Sequence, residues 1–434
     1  DKLFHLHLCG FMLRRVLIFL LIVFLIDLYV FQGIKVLIKD LTPSMSRLVS
    51  GIYWSFTLFT FSVFITGLII DWHTWPKAVR VYLFAAVMII VVTKLFIVLF
   101  LLIDDLTRLV RWGFSGLYQR FYDSPQVVNT EEKIVVTRSQ FLMRMAFVIS
   151  SIPFISLLYG MGDGKYNYQV KRRKIKFPKL PSAFEGFKII QISDIHTGSF
   201  FDTKHIEKAV SMINSLKGDV IFFTGDLVND RSDEAVPFIN TLSKIEAKHG
   251  VFSILGNHDY GDYVQWPSRE AKVENLEQLK NIHKEIGWKL MLDEHTFISE
   301  GDAKLGLIGV QNWSTHMRFP KYGNLPKAVE GMDFAPVNIL LTHDPSHWHG
   351  EVTKKFPQID LTLAGHTHGF QFGVEIPALK IKWSPVQYVY KEWADLYDDV
   401  NGQHLYVNRG LGFLGYPGRV GILPEITVIE LSQG

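Results

Sequence analysis

The chain has 434 residues, enough for two or three domains of ordinary size. Its charges nearly balance, 45 Lys and Arg against 42 Asp and Glu, and no basic block is long enough for nucleic acid, which argues against a nucleic-acid partner. A single cysteine, Cys9, excludes a disulfide framework and a thiolate-rich metal site, while 48% hydrophobic residues is high for a wholly soluble chain.

The apolar residues concentrate at the front. Leu48 to Ile70 carries no charge over 23 residues, long enough at about 1.5 Å per residue to cross a hydrocarbon layer of about 30 Å. Val81–Ile103 is interrupted only by Lys94, Val16–Ile34 only by Asp27, and Met145–Gly162 is uncharged but contains Pro153. Four spans are predicted, near 14–34, 48–70, 81–103 and 145–162. Trp54, Trp72, Trp75, Tyr82 and Tyr159 fall near their ends, as an interfacial aromatic belt requires. No small-residue cleavage site follows the first run, so it reads as an anchor rather than a signal peptide. The sequence opens on Asp1 rather than Met, so an earlier start is expected. With alternating topology, the first and third spans run parallel and place Asp27 and Lys94 at similar depth. Isolated charges inside a membrane are costly, so the two are predicted to pair, in a structural role rather than as an ion pathway. The connection Asp104–Gln140 opens with mixed Arg and bulky apolar residues, and reads either as a helix lying on the membrane surface or as a plain loop helix.

After Gly164 short apolar strands alternate with polar helical stretches, dividing the chain into a membrane domain, 1–164, and an α/β domain, 165–434. Phe187–Ser193, Asp219–Thr224, Val251–Leu255, Val337–Thr342 and Asp360–Ala364 read as buried strands, and Asp202 can cap a helix that ends at Gly218. Metal-type donors stand just past the carboxyl end of each strand: Asp194-Ile195-His196, Gly225-Asp226, Gly256-Asn257-His258-Asp259, Thr342-His343-Asp344 and Gly365-His366-Thr367-His368. Ligands bind at that end of an open α/β sheet. One D-x-H or H-x-H pair is weak evidence, and solvated loop tips would explain it. Five such groups in this order are a strong signal.

The ordered set resembles the calcineurin-like metallophosphoesterase superfamily over roughly Val170–Leu431, and is most similar to its bacterial YkuE/YaeI-like branch, which has members with transmembrane helices. The entry stretch Leu180-Pro181 to His196 and the tail Asn408-Arg409-Gly410-Leu411-Gly412 through Pro424-Glu425-Ile426-Thr427 carry that closer similarity. The resemblance implies a four-layer αββα sandwich holding two divalent metal ions. By it, Asp194, His196, Asp226 and His368 hold one ion, and Asp226 bridges to a second held by Asn257, His343 and His366. Mixed nitrogen and oxygen donors without sulfur suit Mn²⁺, Fe or Zn²⁺. Such a pair activates water for in-line attack on phosphorus. His258 is the candidate general acid for the leaving oxygen, with Asp259 orienting its ring. Two positions depart from the family pattern. Asn229 stands where an acidic residue is frequent three places after Asp226, and Phe370 stands where a second glycine is usual. Phe370 either shapes a substrate pocket or packs, with packing the expectation. Arg409 is the candidate to hold a phosphate oxygen bidentately, or else clamps backbone carbonyls.

Trp383, Tyr388, Tyr390, Trp393 and Tyr397 crowd one segment, and Trp313, Met317 and Phe319 another. They either pack as core or form a mouth that admits a lipid-borne phosphate. A multi-pass protein of the cell (inner) membrane is expected, and tethering favours membrane lipids or lipid-linked phosphates as substrate. The rival readings are a hydrolase of soluble nucleotide-type esters, a metal-binding scaffold, and the regulatory domain of a transporter. Eleven basic residues flank the spans on the side of the catalytic domain and nine on the other. Discounting the run at 171–176 reverses this to six against nine, so charge asymmetry leaves the side open.

Overall fold

A computed structural model describes residues 2–70, 72–121 and 137–434. The chain divides into two compact units, residues 1–158 and 159–434.

The first unit is helical: α1 (Lys2–Ile38), α2 (Pro43–Ile69), α3 (Lys77–Phe121) and α4 (Arg138–Met161), whose last turn belongs to the second unit. Each contains a stretch long and apolar enough to cross a membrane. Thr42 caps α2 by accepting the Met45 N–H, and Pro43 occupies its first turn, where a missing N–H costs nothing. Large apolar residues such as Leu58 and Ile152 face outward, as lipid as a solvent requires. The polar groups turn inward. Lys94 Nζ lies 2.6 Å from Asp27 Oδ1, and both side chains are buried. Thr57 donates to Asp27 Oδ2 (2.5 Å) and Tyr53 to the Asp27 carbonyl (2.8 Å), while the Lys94 ammonium also sits over the Tyr53 ring. The predicted pair therefore forms, with two hydroxyls completing the carboxylate's partners.

One expectation fails here. The stretch after Asp104 is neither a separate surface helix nor a loop helix, because α3 continues unbroken to Phe121, 45 residues in all. No proline interrupts it. Asp104 also stays inside the helix, with Arg108 one turn on (2.6 Å) and Ser139 Oγ (3.0 Å) as partners. The rest of that connection, residues 122–136, lies outside the described residues.

The second unit has fourteen strands among the described residues: β1 (Gln169–Phe177), β2 (Lys188–Ile192), β3 (Val220–Phe223), β4 (Val251–Ser253), β5 (Lys289–Leu290), β6 (Glu294–Glu300), β7 (Ala303–Gly309), β8 (Asn338–Leu341), β9 (Leu361–Ala364), β10 (Val374–Ile376), β11 (Ile381–Trp383), β12 (Asp395–Asp398), β13 (His404–Val407) and β14 (Glu425–Gln433). Two six-stranded sheets run β1-β14-β2-β3-β4-β5 and β12-β13-β9-β8-β7-β6, and β10 pairs with β11 alone. The alternation of strand side chains sorts the core into layers. Ile189, Val220 and Phe222 of the first sheet meet Leu307, Ile339, Leu341, Leu361 and Leu363 of the second. Ile190, Ile192, Ile221 and Phe223 point the other way, to α5 (Lys204–Ser215) and α6 (Arg269–Ile286). α5 answers with Ile206, Ala209, Val210 and Ile213, one face at helical spacing, and Asp202 accepts the Lys204 N–H at its start (3.1 Å). Short helices, including Trp348–Val352, cover the far side of the second sheet. The result is the αββα sandwich. The basic run 171–176 lies within β1, paired with β14, so it belongs to the folded domain rather than to a span's flank.

Lys94→Leu strips Asp27 of its counter-charge and is expected to cost about 3–5 kcal/mol, seen as lost folded yield in detergent. Adding Asp27→Asn should recover most of it, because the buried charge is then gone.

Candidate metal centre

Strands β2, β3, β4, β8 and β9 all end at one edge of the sandwich, and the donors sit in the turns just beyond them. These turns are abrupt. Asp194, His196, Asp226, His366 and His368 have φ between +50° and +72°, a left-handed conformation that costs a non-glycine residue of order 1–3 kcal/mol. Gly225 (φ +94°) allows the chain to reverse beside Gly256, where a Cβ would lie 2.5 Å from the Gly256 nitrogen. A Cβ at Gly256 would in turn press on the Asp226 backbone nitrogen at 2.7 Å.

Two groups of donor atoms result, Asp194 with His196 and His368, and Asp226 with His343 and His366, the atoms of each group lying within 4.8 Å of one another. His196 Nε2 is 3.0 Å from His368 Nε2 and 3.5 Å from Asp226 Oδ2. His343 Nε2 is 3.1 Å from Asp226 Oδ2, and His368 Nε2 is 3.3 Å from Asp194 Oδ1. Asn257 joins the second group, with its Oδ1 2.7 Å from His366 Nδ1. All seven predicted donors thus converge.

The hydrogen bonds behind the donors decide which atoms face the centre. His196 Nδ1 is held by the Val228 carbonyl (3.1 Å) and His343 Nδ1 by the Thr224 carbonyl (2.7 Å), so their Nε2 atoms point inward. Tyr390 donates its hydroxyl hydrogen to Asp344 Oδ2 (2.9 Å), so His366 Nε2 must donate to the Tyr390 oxygen (2.8 Å) and keep its Nδ1 bare. Asn257 spends its amide hydrogens on Tyr263, leaving Oδ1 as an acceptor. Two acceptors 2.7 Å apart in a buried site repel unless a cation lies between or beside them. Burial lowers His196 to about 3 and His366 to about 4, and holds His368 well below its usual range, so all three are neutral. Burial alone would also lower His343, but the Asp226 carboxylate overrides it and raises the imidazole to about 10. The carboxylate demands a positive charge there. This donor set fits divalent cations.

A family model described as calcineurin-like phosphoesterase matches residues 187–370, and one described as probable calcineurin-like phosphoesterase, transmembrane domain, matches 13–165. The chain is 30% identical over 309 residues to the uncharacterized metallophosphoesterase YkuE of Bacillus subtilis, covering 98% of that protein and 69% of this chain. The chain belongs to the calcineurin-like metallophosphoesterases. Proteins named transmembrane protein with metallophosphoesterase domain are also similar, from Danio rerio (28% over 293 residues, 67% of this chain, 62% of that protein) and Bos taurus (28% over 259 residues, 58% and 55%). The chain is a membrane-associated, metal-dependent phosphoester hydrolase.

Three expectations about individual residues of the phosphoesterase need correction. Asp259 does not orient the His258 ring. Its carboxylate accepts the backbone N–H groups of Asp226 (2.9 Å), Leu227 (2.8 Å) and Gly256 (2.8 Å), and it secures the two metal-site turns to each other. The Asn229 carbonyl holds His258 Nδ1 instead (2.6 Å). Arg409 is not a substrate residue and clamps no carbonyl. It is buried, and its guanidinium forks onto Glu425 and Glu375, away from the donors. Phe370 does not pack as core: it is 58% exposed with φ +57° and lines a cavity of about 520 Å³ beside Asp226, His366 and His368. The aromatic segment splits between roles, since Tyr390 and Trp393 are buried whereas Trp383 and Tyr388 are exposed.

Sequence reasoning missed Tyr390 and Asp344 as the pair that sets the His366 tautomer, and Arg419, buried with Nη2 3.1 Å from His368 Nδ1. Tyr390 is one of five aromatics in its segment, and nothing in the local pattern separates it from the others. Tyr390→Phe keeps the ring and removes the link from His366 to Asp344. It should weaken divalent-metal binding by about 10–100-fold, measured by competition with a chelating dye at fixed pH.

Proposed function

We propose that this phosphoesterase hydrolyses a phosphodiester, pyrophosphate or phosphomonoester bond in a lipid or lipid-linked substrate, with two divalent ions held by Asp194, His196, Asp226, Asn257, His343, His366 and His368. The observation that carries the reading is the convergence of two donor groups, Asp194 with His196 and His368 and Asp226 with His343 and His366, each within 4.8 Å, with Asn257 Oδ1 2.7 Å from His366 Nδ1. When bound, two divalent ions supply an activated water and neutralise the charge that builds on the phosphoryl oxygens. The chain's own residues do the rest. The Asp226 carboxylate stands between the two donor groups, with His196 and His343 on either side. The His258 backbone N–H holds Asp226 Oδ1 in place (2.9 Å). His258 also lines the cavity, and with Nδ1 fixed on the Asn229 carbonyl its Nε2 remains to protonate the leaving oxygen.

The cavity walls support an acylated substrate. Met317, Phe319, Phe370, Val386 and Val389 line it beside the donors, and Met317 and Val389 are widely exposed at its edge. Such walls bind hydrocarbon, and they offer a nucleotide's ribose and base edges few polar partners. We place the protein in the cell (inner) membrane as a multi-pass protein, its substrate drawn from that membrane.

Purified protein with added Mn²⁺ should hydrolyse an aryl phosphodiester. Chelator should abolish this, and His366→Ala should lower kcat by about 10²-fold or more. Val389→Asp should lower kcat/KM about tenfold more for a diacyl phosphodiester in mixed micelles than for the aryl ester. Equal losses on both, or preference for a soluble nucleotide ester, would overturn the lipid assignment while leaving the hydrolase intact.

A further inference from the structure

A second cavity, of about 420 Å³, opens in the catalytic unit and shares no lining residue with the one over the metal donors. Lys204 and Lys208 of α5 stand on one side of it, one helical turn apart, with His205 between them stacked flat on Tyr166 (ring centres 3.4 Å apart). Tyr159, Asp163 and Asn167 complete the lining. Two ammonium groups and one carboxylate thus line it, and neither lysine makes an ion pair among the described residues.

Tyr159 lies in the last turn of α4, a helix of 24 residues that extends about 36 Å, slightly more than the hydrocarbon thickness. Its end therefore emerges among the headgroups. That turn is not a loose tether. Arg419 donates its backbone N–H to the Gly160 carbonyl (3.1 Å), and a Cβ at Gly160 would meet the Arg419 carbonyl at 2.7 Å. Gly160 and Arg419 are thus packed together within the catalytic unit. Phe201, 53% exposed, stands three residues before Lys204.

We infer that this cavity binds the phosphate headgroup of an anionic phospholipid, through Lys204 and Lys208. A net positive lining beside the last turn of α4 selects anionic over zwitterionic lipid, because a choline or ethanolamine cation would meet the two lysines. The inference does not depend on which ester the metal centre cleaves.

The test uses the full chain in nanodiscs of phosphatidylcholine with added phosphatidylglycerol, read by native mass spectrometry. Wild type should retain one phosphatidylglycerol in preference to phosphatidylcholine. Lys204→Gln with Lys208→Gln should weaken retention about 30-fold, from about fivefold per lysine. Lys204→Arg with Lys208→Arg should restore it, and unchanged metal content in both variants would show that the fold is intact. Equal retention in wild type and the Gln pair, or equal retention of phosphatidylcholine, overturns the site. Displacement of the lipid by millimolar inorganic phosphate would mark it as a free-anion pocket and overturn the lipid assignment as well.

Discussion

Acceptors held against acceptors are the constraint on which the catalytic unit depends. Asp226 draws positive charge onto His343 at 3.1 Å, and His366 Nδ1 and Asn257 Oδ1 stand 2.7 Å apart in a buried site. The arrangement favours positive charge at the centre, and the surrounding chain is built to prevent it from relaxing. Five donor residues sit in left-handed backbone at the strand ends, and the Asp259 carboxylate collects four backbone N–H groups to lock two of those turns together. The sheets on either side supply the rigidity. Their apolar strands are buried on both faces, so the turns at their ends cannot shift without opening the core. Binding of divalent ions is thereby coupled to the stability of the loops that hold them.

The membrane unit obeys the same rule in a less polar setting. Asp27 and Lys94 are tolerated inside the bundle because each supplies the other's charge, and Tyr53 and Thr57 satisfy the carboxylate oxygens and carbonyl that remain. In both units a buried charge occurs where an opposite charge and directed hydrogen-bond donors meet it. Arg409 is a third case: it neutralises Glu425 and Glu375 and cements the tail of the fold rather than gripping substrate.

The donors were legible because their positions depend on local chain geometry. A buried parallel strand reads as an apolar run, and the chain beyond its carboxyl end must turn within one or two residues, so Asp194, Asp226 and His343 stand out from their neighbours in the primary structure. The orienting groups are different. Tyr390 reaches His366 across 24 positions and Asp344 across 46, and Arg419 reaches His368 across 51. No periodicity links residues so far apart. The misassignments share that cause. Asp259 adjoins His258 in the chain, but four N–H groups of the neighbouring turns capture its carboxylate first. Arg409 sits near the site in sequence order, but buried Glu425 and half-buried Glu375 demand its charge.

Residue order was sufficient to assign the class of each half, since four long apolar stretches, two of them broken by a single charge, point to membrane helices and five strand-end donor motifs point to a metal-binding α/β layer. It also specified the chemistry of the donors, because side-chain type sets what an atom can ligate. Folding in three dimensions was needed to fix which nitrogen of each imidazole faces the centre and where the Arg409 charge goes. The same holds for Phe370, which lines a cavity, and for α3, which runs on past Asp104. These outcomes are competitions between several available partners, and competition is settled by distance and burial, which exist only once the chain has folded.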